Sequence, residues 1–184
     1  MNPVAYHRQS PKIKLIACLG NPETDYKNTY HNVGHLAFDY FRGHLRVKSR
    51  KLPFRGFDYV KNPPLACPLV RPDVFMNDSG GAIKEALKYF GSAPRELLVI
   101  HDDSDLQLGR YKLEFGRGAA GHHGVESVIQ SLGTKDFWRF RVGIRELNNK
   151  MRAGEFVLKK ISTSHKEKLE GVFKKVPELF KINL

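Results

Sequence analysis

Five polar residues stand where predicted strands and helices end, and their types suit cleavage of an activated carbonyl. Asn21 follows a buried strand, His31 opens a helix, and Asn77 precedes a second helix. Asp102 closes the run LLVIHD, and His123 opens a third helix. A histidine backed by a carboxylate is a water-activating pair, because the carboxylate fixes the imidazole tautomer and stabilises the imidazolium that forms. Asparagine amides can hold a peptide-like group or support a developing oxyanion. Spacing alone does not bring these ends together. Taken singly, His31 equally fits a helix-start histidine with a satisfied hydrogen bond.

Three other chemistries compete for the same residues. The stretch GRGAAGHHG (116–124) contains G-x-G-x-x-G between a strand-like and a helix-like run. A dinucleotide fold places this turn in its first βαβ unit, with the acidic residue ending the next strand. Here the turn comes late and Asp136 precedes the next strand, so the match is accidental. The glycines still permit close approach of backbone to a ligand. His101 to Asp105 and the pair His122–His123 offer metal ligands. Neighbouring strand side chains point to opposite faces, however, so His101 and Asp102 do not easily share one ion, and no metal is expected. No G-x-S-x-G elbow supports a serine nucleophile, and Ser79 reads as a helix cap.

The elements that must position these residues follow from hydropathy. Lys14 to Leu19 is a buried strand closed by Gly20-Asn21-Pro22. Apolar residues at helical spacing run from Asn32 to Leu45, and again from Ser79 to a stop at Gly91. Residues 57–61 and 66–71 can pair as strands. Leu97 to Ile100 reads as a central strand covered on both faces. Arg110 to Phe115 and Phe137 to Ile144 alternate as strands, with a helix between them. Ser164 to Glu167 reads as a capping box for a last helix, interrupted late by Pro177. Strands alternating with helices predict an α/β fold: a single three-layer domain over 13–184, its central mixed, largely parallel sheet covered by helices on both faces. Residues 1–12 read as a flexible arm without the apolar middle of a secretory signal.

Composition narrows the partner. Of 184 residues, 31 are Lys or Arg and 19 Asp or Glu, a net charge of +12 that favours a polyanion, nucleic acid first. No run is long and apolar enough to span a bilayer, so no membrane is expected. Cys18 and Cys67 sit in apolar runs and read as buried reduced thiols of a cytoplasmic protein.

The sequence resembles the bacterial-type peptidyl-tRNA hydrolase family. The matching pieces are KLIACLGNPETDYKNTYHNVGH (14–35), RPDVFMNDSGGAI (71–83), LLVIHDDSDLQLGRYKL (97–113), GHHGVESVIQSLG (121–133) and FRVGI (140–144), with FVLKKIS (156–162) weaker. The resemblance implies hydrolysis of the ester joining peptide to the tRNA 3′ end, without metal or cofactor, by a monomer that needs no protein partner. It casts His31 as the base and Asp102 as its orienting carboxylate. Asn21 and Asn77 would bind the peptidyl part, Met76 would line the pocket, and Tyr26 would pack near the terminal nucleotide. Arg141 would meet a tRNA phosphate. Lys112 is added to that role from charge alone. The partner implied is peptidyl-tRNA, gripped at its acceptor stem and 3′ end.

The chain departs from the family pattern at several points. His123 stands where an asparagine is expected, Tyr30 where an arginine precedes the histidine, and Glu114 where a second lysine would strengthen a phosphate clamp. Arg145-Glu146-Leu147 replaces a G-x-P segment. His123 near the water would make activity titrate around neutrality. These departures sustain an alternative, an RNA-binding relative that cleaves weakly or not at all. A metal-dependent phosphoesterase would instead require residues 101–105 and 122–123 to share an ion.

Overall fold

The computed structural model describes residues 12–61 and 67–180. Seven strands form one mixed sheet: β1 (Leu15–Cys18), β2 (Arg50–Leu52), β3 (Phe57–Val60), β4 (Leu69–Pro72), β5 (Leu97–Gln107), β6 (Tyr111–Phe115) and β7 (Trp138–Arg145). Their order is β2-β3-β4-β1-β5-β7-β6. The inner four, β4, β1, β5 and β7, run parallel, while β2, β3 and β6 add antiparallel edges.

The apolar alternation of the inner strands sorts the core into two layers. Ile16, Leu98, Ile100, Phe140 and Val142 face α1 (Val33–Leu45) and α5 (Thr163–Phe173), where Phe38, Phe41 and Phe173 pack. Leu15, Ala17, Leu97 and Val99 face α2 (Ser79–Phe90) and α3 (His123–Leu132), with Ile83, Val125 and Val128 opposite. Strands buried on both faces lose strict polar alternation and become near-continuous hydrophobic runs, as Leu97–Ile100 does. The helices α4 (Ala153–Phe156) and α6 (Lys175–Phe180) complete the chain.

The α/β class, the pairing of β3 with β4 and the stop of α2 at Gly91 (φ 63°) agree with the sequence reading. Five details differ. β5 runs on to Gln107 rather than closing at Asp102, so Asp102 lies within the strand. Ser79 is the first residue of α2 rather than its cap, and its buried Oγ has no partner among the described residues. The last long helix is capped earlier than expected, by Ser162, whose Oγ accepts from the His165 N–H. The break after it falls at Lys174, ahead of Pro177, which lies in the first turn of α6, where a missing N–H is harmless. The three-residue strand β2 is exposed and charged, so hydropathy gave no sign of it. The expected arm, residues 1–12, lies outside the described residues except for Lys12.

Gly34 fixes how α1 meets the sheet. A Cβ there would sit 2.3 Å from the Leu19 carbonyl oxygen and 2.7 Å from that of Ile100. Only glycine permits this approach, and the His35 N–H uses it to donate to the Leu19 carbonyl at 3.1 Å. The 3-10 turn Tyr30–Asn32 runs straight into α1, so this contact also sets where His31 stands against Asp102 of β5.

Candidate active site

The parallel strands carry the chain to one end of the sheet, and a cavity of about 280 Å³ opens there. His31, His101, Asp102, His122, His123 and Arg141 are among its lining residues. A crevice beyond the carboxyl ends of parallel strands is where open α/β sheets bind ligands.

Asp102 is its hub. The carboxylate is 3% exposed, and its Oδ1 accepts from His31 Nδ1 at 3.0 Å and from His122 Nε2 at 3.1 Å. His122 Nδ1 is already an acceptor, for the Val125 N–H at 3.3 Å, so its proton lies on Nε2. That bond also caps α3. Burial pushes the Asp102 carboxyl upward. The charges and hydrogen bonds of His122 and His31 outweigh burial and hold it far below the ordinary carboxylate range. For His31, burial disfavours the imidazolium, but the Asp102 charge and hydrogen bond prevail and its pKa is raised. His31 therefore keeps its Nδ1 proton on Asp102 and presents a basic Nε2. His101 behaves oppositely: burial, and then the neighbouring His122, hold it well below its usual value, neutral, with Nδ1 donating to the Asp102 carbonyl at 2.7 Å.

The donor atoms of His31, Asp102 and His122 lie within 4.8 Å of one another. Two imidazoles and a carboxylate are a zinc-type donor set. Here, however, two N–H groups point at one shared carboxylate oxygen, an arrangement satisfied by hydrogen bonds. Of the residues weighed for metal in the sequence, Asp102 and His122 belong to this group, whereas His101, Asp103, Asp105 and His123 do not. His101 and Asp102 occupy opposite faces of β5, as alternation requires.

Asn21 and Met76 stand behind the cavity. Asn21 Oδ1 accepts from the Met76 N–H at 2.8 Å, and its backbone exchanges two hydrogen bonds with the Asn32 side chain at 2.8 and 2.9 Å. These bonds fasten the exit of β1 to both the His31 turn and the turn Met76–Asp78. Met76 is buried against α3; its Sδ would lie 2.3 Å from a Cβ at Gly124, so that glycine admits the sulfur. Asn77 is exposed in the next position, and Tyr26 is half-buried in the turn Thr24–Tyr26. Neither lines the cavity. His123 does, but it is exposed and its side chain makes no hydrogen bond among the described residues.

The basic residues expected to meet phosphate sit in a mixed charge cluster. Lys112 Nζ lies 2.7 Å from Glu114 Oε1, and Arg141 Nη1 2.7 Å from Glu114 Oε2. Arg141 Nε also pairs with Asp103. Glu114 is thus shared by three cations, with Arg139 Nη2 3.5 Å from its Oε2. Behind it, the 1%-exposed Arg139 donates to the Gly118 carbonyl at 2.8 Å, anchoring the glycine loop that leads to His122. That loop follows β6, an antiparallel edge strand, so no parallel βαβ crossover surrounds it and no dinucleotide crevice forms.

His122 is the residue that sequence reasoning missed. In the sequence it reads only as half of a histidine pair for metal, while the family pattern points to its neighbour His123. No sequence signal singles out His122, because histidine is not a usual N-cap residue and its inward turn follows from the cap bond to the Val125 N–H.

Residues 15–184 match the family model described as peptidyl-tRNA hydrolase. The peptidyl-tRNA hydrolase of Desulfitobacterium hafniense is 36% identical over 166 residues, covering 89% of this chain and 88% of the relative. That of Mycobacterium tuberculosis H37Rv is 34% identical over 160 residues, covering 86% and 84%. The crystal structure of peptidyl-tRNA hydrolase from Acinetobacter baumannii superposes with a TM-score of 0.80 at 26% identity, covering 95% of this chain and 92% of the other.

Proposed function

The chain belongs to the peptidyl-tRNA hydrolase family, and from that premise we propose that His31 is the general base of its reaction. The reaction is hydrolysis of the ester between a peptide and the tRNA 3′ end. The observation that supports the assignment is the 3.0 Å contact of Nδ1 with the Asp102 carboxylate, which takes the Nδ1 proton and so leaves the Nε2 lone pair for a water at the cavity mouth. As His31 takes a proton from that water, the hydroxide equivalent adds to the ester carbonyl. The imidazolium forms against Asp102, whose charge is already in place and need not reorganise. Collapse of the tetrahedral intermediate expels the ribose oxygen, and His31 returns the proton to it.

His122 acts on Asp102. By holding Oδ1 from the other side, it keeps the carboxylate ionised and fixed in direction. The exposed Asn77 amide and the unshared Nδ2 of Asn21 are suited to the peptide carbonyls and the developing oxyanion. Met76 supplies the apolar wall between them, and Tyr26 stacks on the terminal nucleotide. His123 meets substrate at the rim. Lys112 and Arg141 are the phosphate contacts, and a phosphate arriving there competes with Glu114. The acceptor stem is held mainly by the +12 net charge, without sequence readout, as a monomer in the cytoplasm. No helix among the described residues is long and apolar enough to cross a membrane.

Deacylation of an N-blocked aminoacyl-tRNA by the purified protein, with and without a chelator, tests this reading. We expect full activity in both and a loss of at least about 10²-fold for His31→Ala. A His31→Ala protein as active as the parent removes the base assignment. Tight, salt-sensitive RNA binding with negligible cleavage at saturating substrate returns the reading to a binding relative.

A further inference from the structure

Two departures noted in the sequence, Tyr30 and Glu146, lie 116 positions apart, yet one side chain joins them in space. The Tyr30 hydroxyl lies 2.5 Å from His165 Nδ1, and His165 Nε2 lies 3.0 Å from Glu146 Oε1. We propose that Tyr30, His165 and Glu146 form a positioning relay that holds the catalytic histidine's turn against the C-terminal part of the chain.

The polarity of the relay is fixed by its chemistry. Burial, and then the Glu146 charge, raise the Tyr30 pKa, so the phenol remains protonated and donates. His165 Nδ1 accepts, its proton sits on Nε2, and Nε2 donates to the Glu146 carboxylate. The carboxylate makes the second bond charge-assisted and strengthens His165 as an acceptor. An arginine at position 30 could not donate to a ring nitrogen in this way without burying its charge beside a stacked ring. The Tyr30 ring is 4% exposed and lies on Phe156 with centroids 4.6 Å apart and planes 21° apart.

The relay closes a strap already laid along the His31 turn. The segment following α4 runs antiparallel to residues 26–31, with a bridge between Thr29 and Lys160. The His31 N–H donates to the Val157 carbonyl at 2.8 Å, the Tyr30 N–H to that of Lys159 at 3.2 Å, and the Ile161 N–H to that of Asn28 at 2.7 Å. Lys160 Nζ adds bonds to the Asp25 and Lys27 carbonyls. His31 is thus held twice, at its ring by Asp102 and at its backbone by the strap. Tyr30, His165 and Glu146 tie the turn itself to the start of α5 and the exit of β7. A base displaced by about 1 Å can lose up to about 10²-fold in rate. The backbone bonds remain in any side-chain variant, so a smaller loss is expected when only the relay is cut.

The test is single-turnover and steady-state deacylation of an N-blocked aminoacyl-tRNA by Tyr30→Phe, His165→Ala and the double variant. Tyr30→Phe keeps the stack on Phe156 and removes only the donor. Each single variant is expected to lose roughly three- to tenfold in kcat with KM within about twofold, and the double to lose no more than the worse single. His165→Gln, which offers a carbonyl to Tyr30 and an amide N–H to Glu146, should retain most of the rate. A purely structural role would lower the thermal midpoint and leave kcat of the folded protein unchanged. Unchanged kcat in both singles, additive losses in the double, or a change confined to KM overturns the proposal. The relay rests on His31 being the base, and the two readings fail differently. A fully active His31→Ala removes the base, whereas an inactive His31→Ala beside fully active Tyr30→Phe and His165→Ala removes only the relay.

Discussion

Asp102→Asn separates charge from geometry at this site. Both imidazole N–H groups converge on one oxygen, Oδ1, at 3.0 and 3.1 Å. An asparagine that places its carbonyl there keeps both of these hydrogen bonds; it loses the negative charge and the longer 3.3 Å contact of Oδ2 with His31 Nδ1. That charge matters most when His31 becomes an imidazolium. Two unit charges about 4 Å apart interact by about 4 kcal/mol at an effective dielectric near 20. Loss of that stabilisation corresponds to roughly 10²–10³ in kcat/KM. The pH profile should move as well. Asp102 raises the His31 pKa against the opposing effect of burial, so without the charge burial prevails and the pKa falls. A neutral base is needed, so the parent's rate rises with pH through a midpoint above 6.5, and in Asp102→Asn that limb moves to lower pH. Deacylation of an N-blocked aminoacyl-tRNA, followed across the pH range of histidine titration with the thermal midpoint recorded alongside, gives both quantities. A plateau within threefold of the parent, or an acid limb that does not move, refutes the reasoning.

Other variants probe the supports. Gly34→Ala drives a methyl into the backbone of two central strands, so α1 and the His31 turn must retreat; thermal unfolding should show a loss of about 1–3 kcal/mol, with kcat falling more than KM. Glu114→Gln removes the carboxylate that bridges Lys112 and Arg141, and the salt dependence of tRNA binding should steepen by about 0.7–0.9 in log–log slope for each cation released. His123→Asn should leave the pH profile unchanged, because His123 is exposed and does not touch the Asp102 network; a flattened profile would place it beside the water instead.

Sequence patterning revealed the layers because inner strands and helix faces are apolar for a local reason that periodicity detects. It anticipated that Asn21 and His31 stand at element ends, since polar residues closing apolar runs are conspicuous, but Asp102 lies inside β5, which runs on to Gln107 through polar residues that hydropathy does not read as strand. It could not reveal which of two adjacent histidines turns inward, because that depends on a cap position set by the loop's geometry. The family pattern drew attention to His123, while the hydrogen bonds go to His122. The Glu114 bridge was invisible for another reason. Lys112 and Glu114 share a face of β6, but Arg141 comes from β7, and only strand pairing brings the three together. The relay through His165 likewise depends on where α5 docks.

The most direct test compares the titration of the His31 imidazole, assigned by NMR, with the acid limb of kcat/KM in the same protein. The account predicts one shared midpoint above 6.5 that falls in both measurements on Asp102→Asn. An acid limb that ignores the His31 titration, or a His31 midpoint below 6.5 with Asp102 intact, would contradict it.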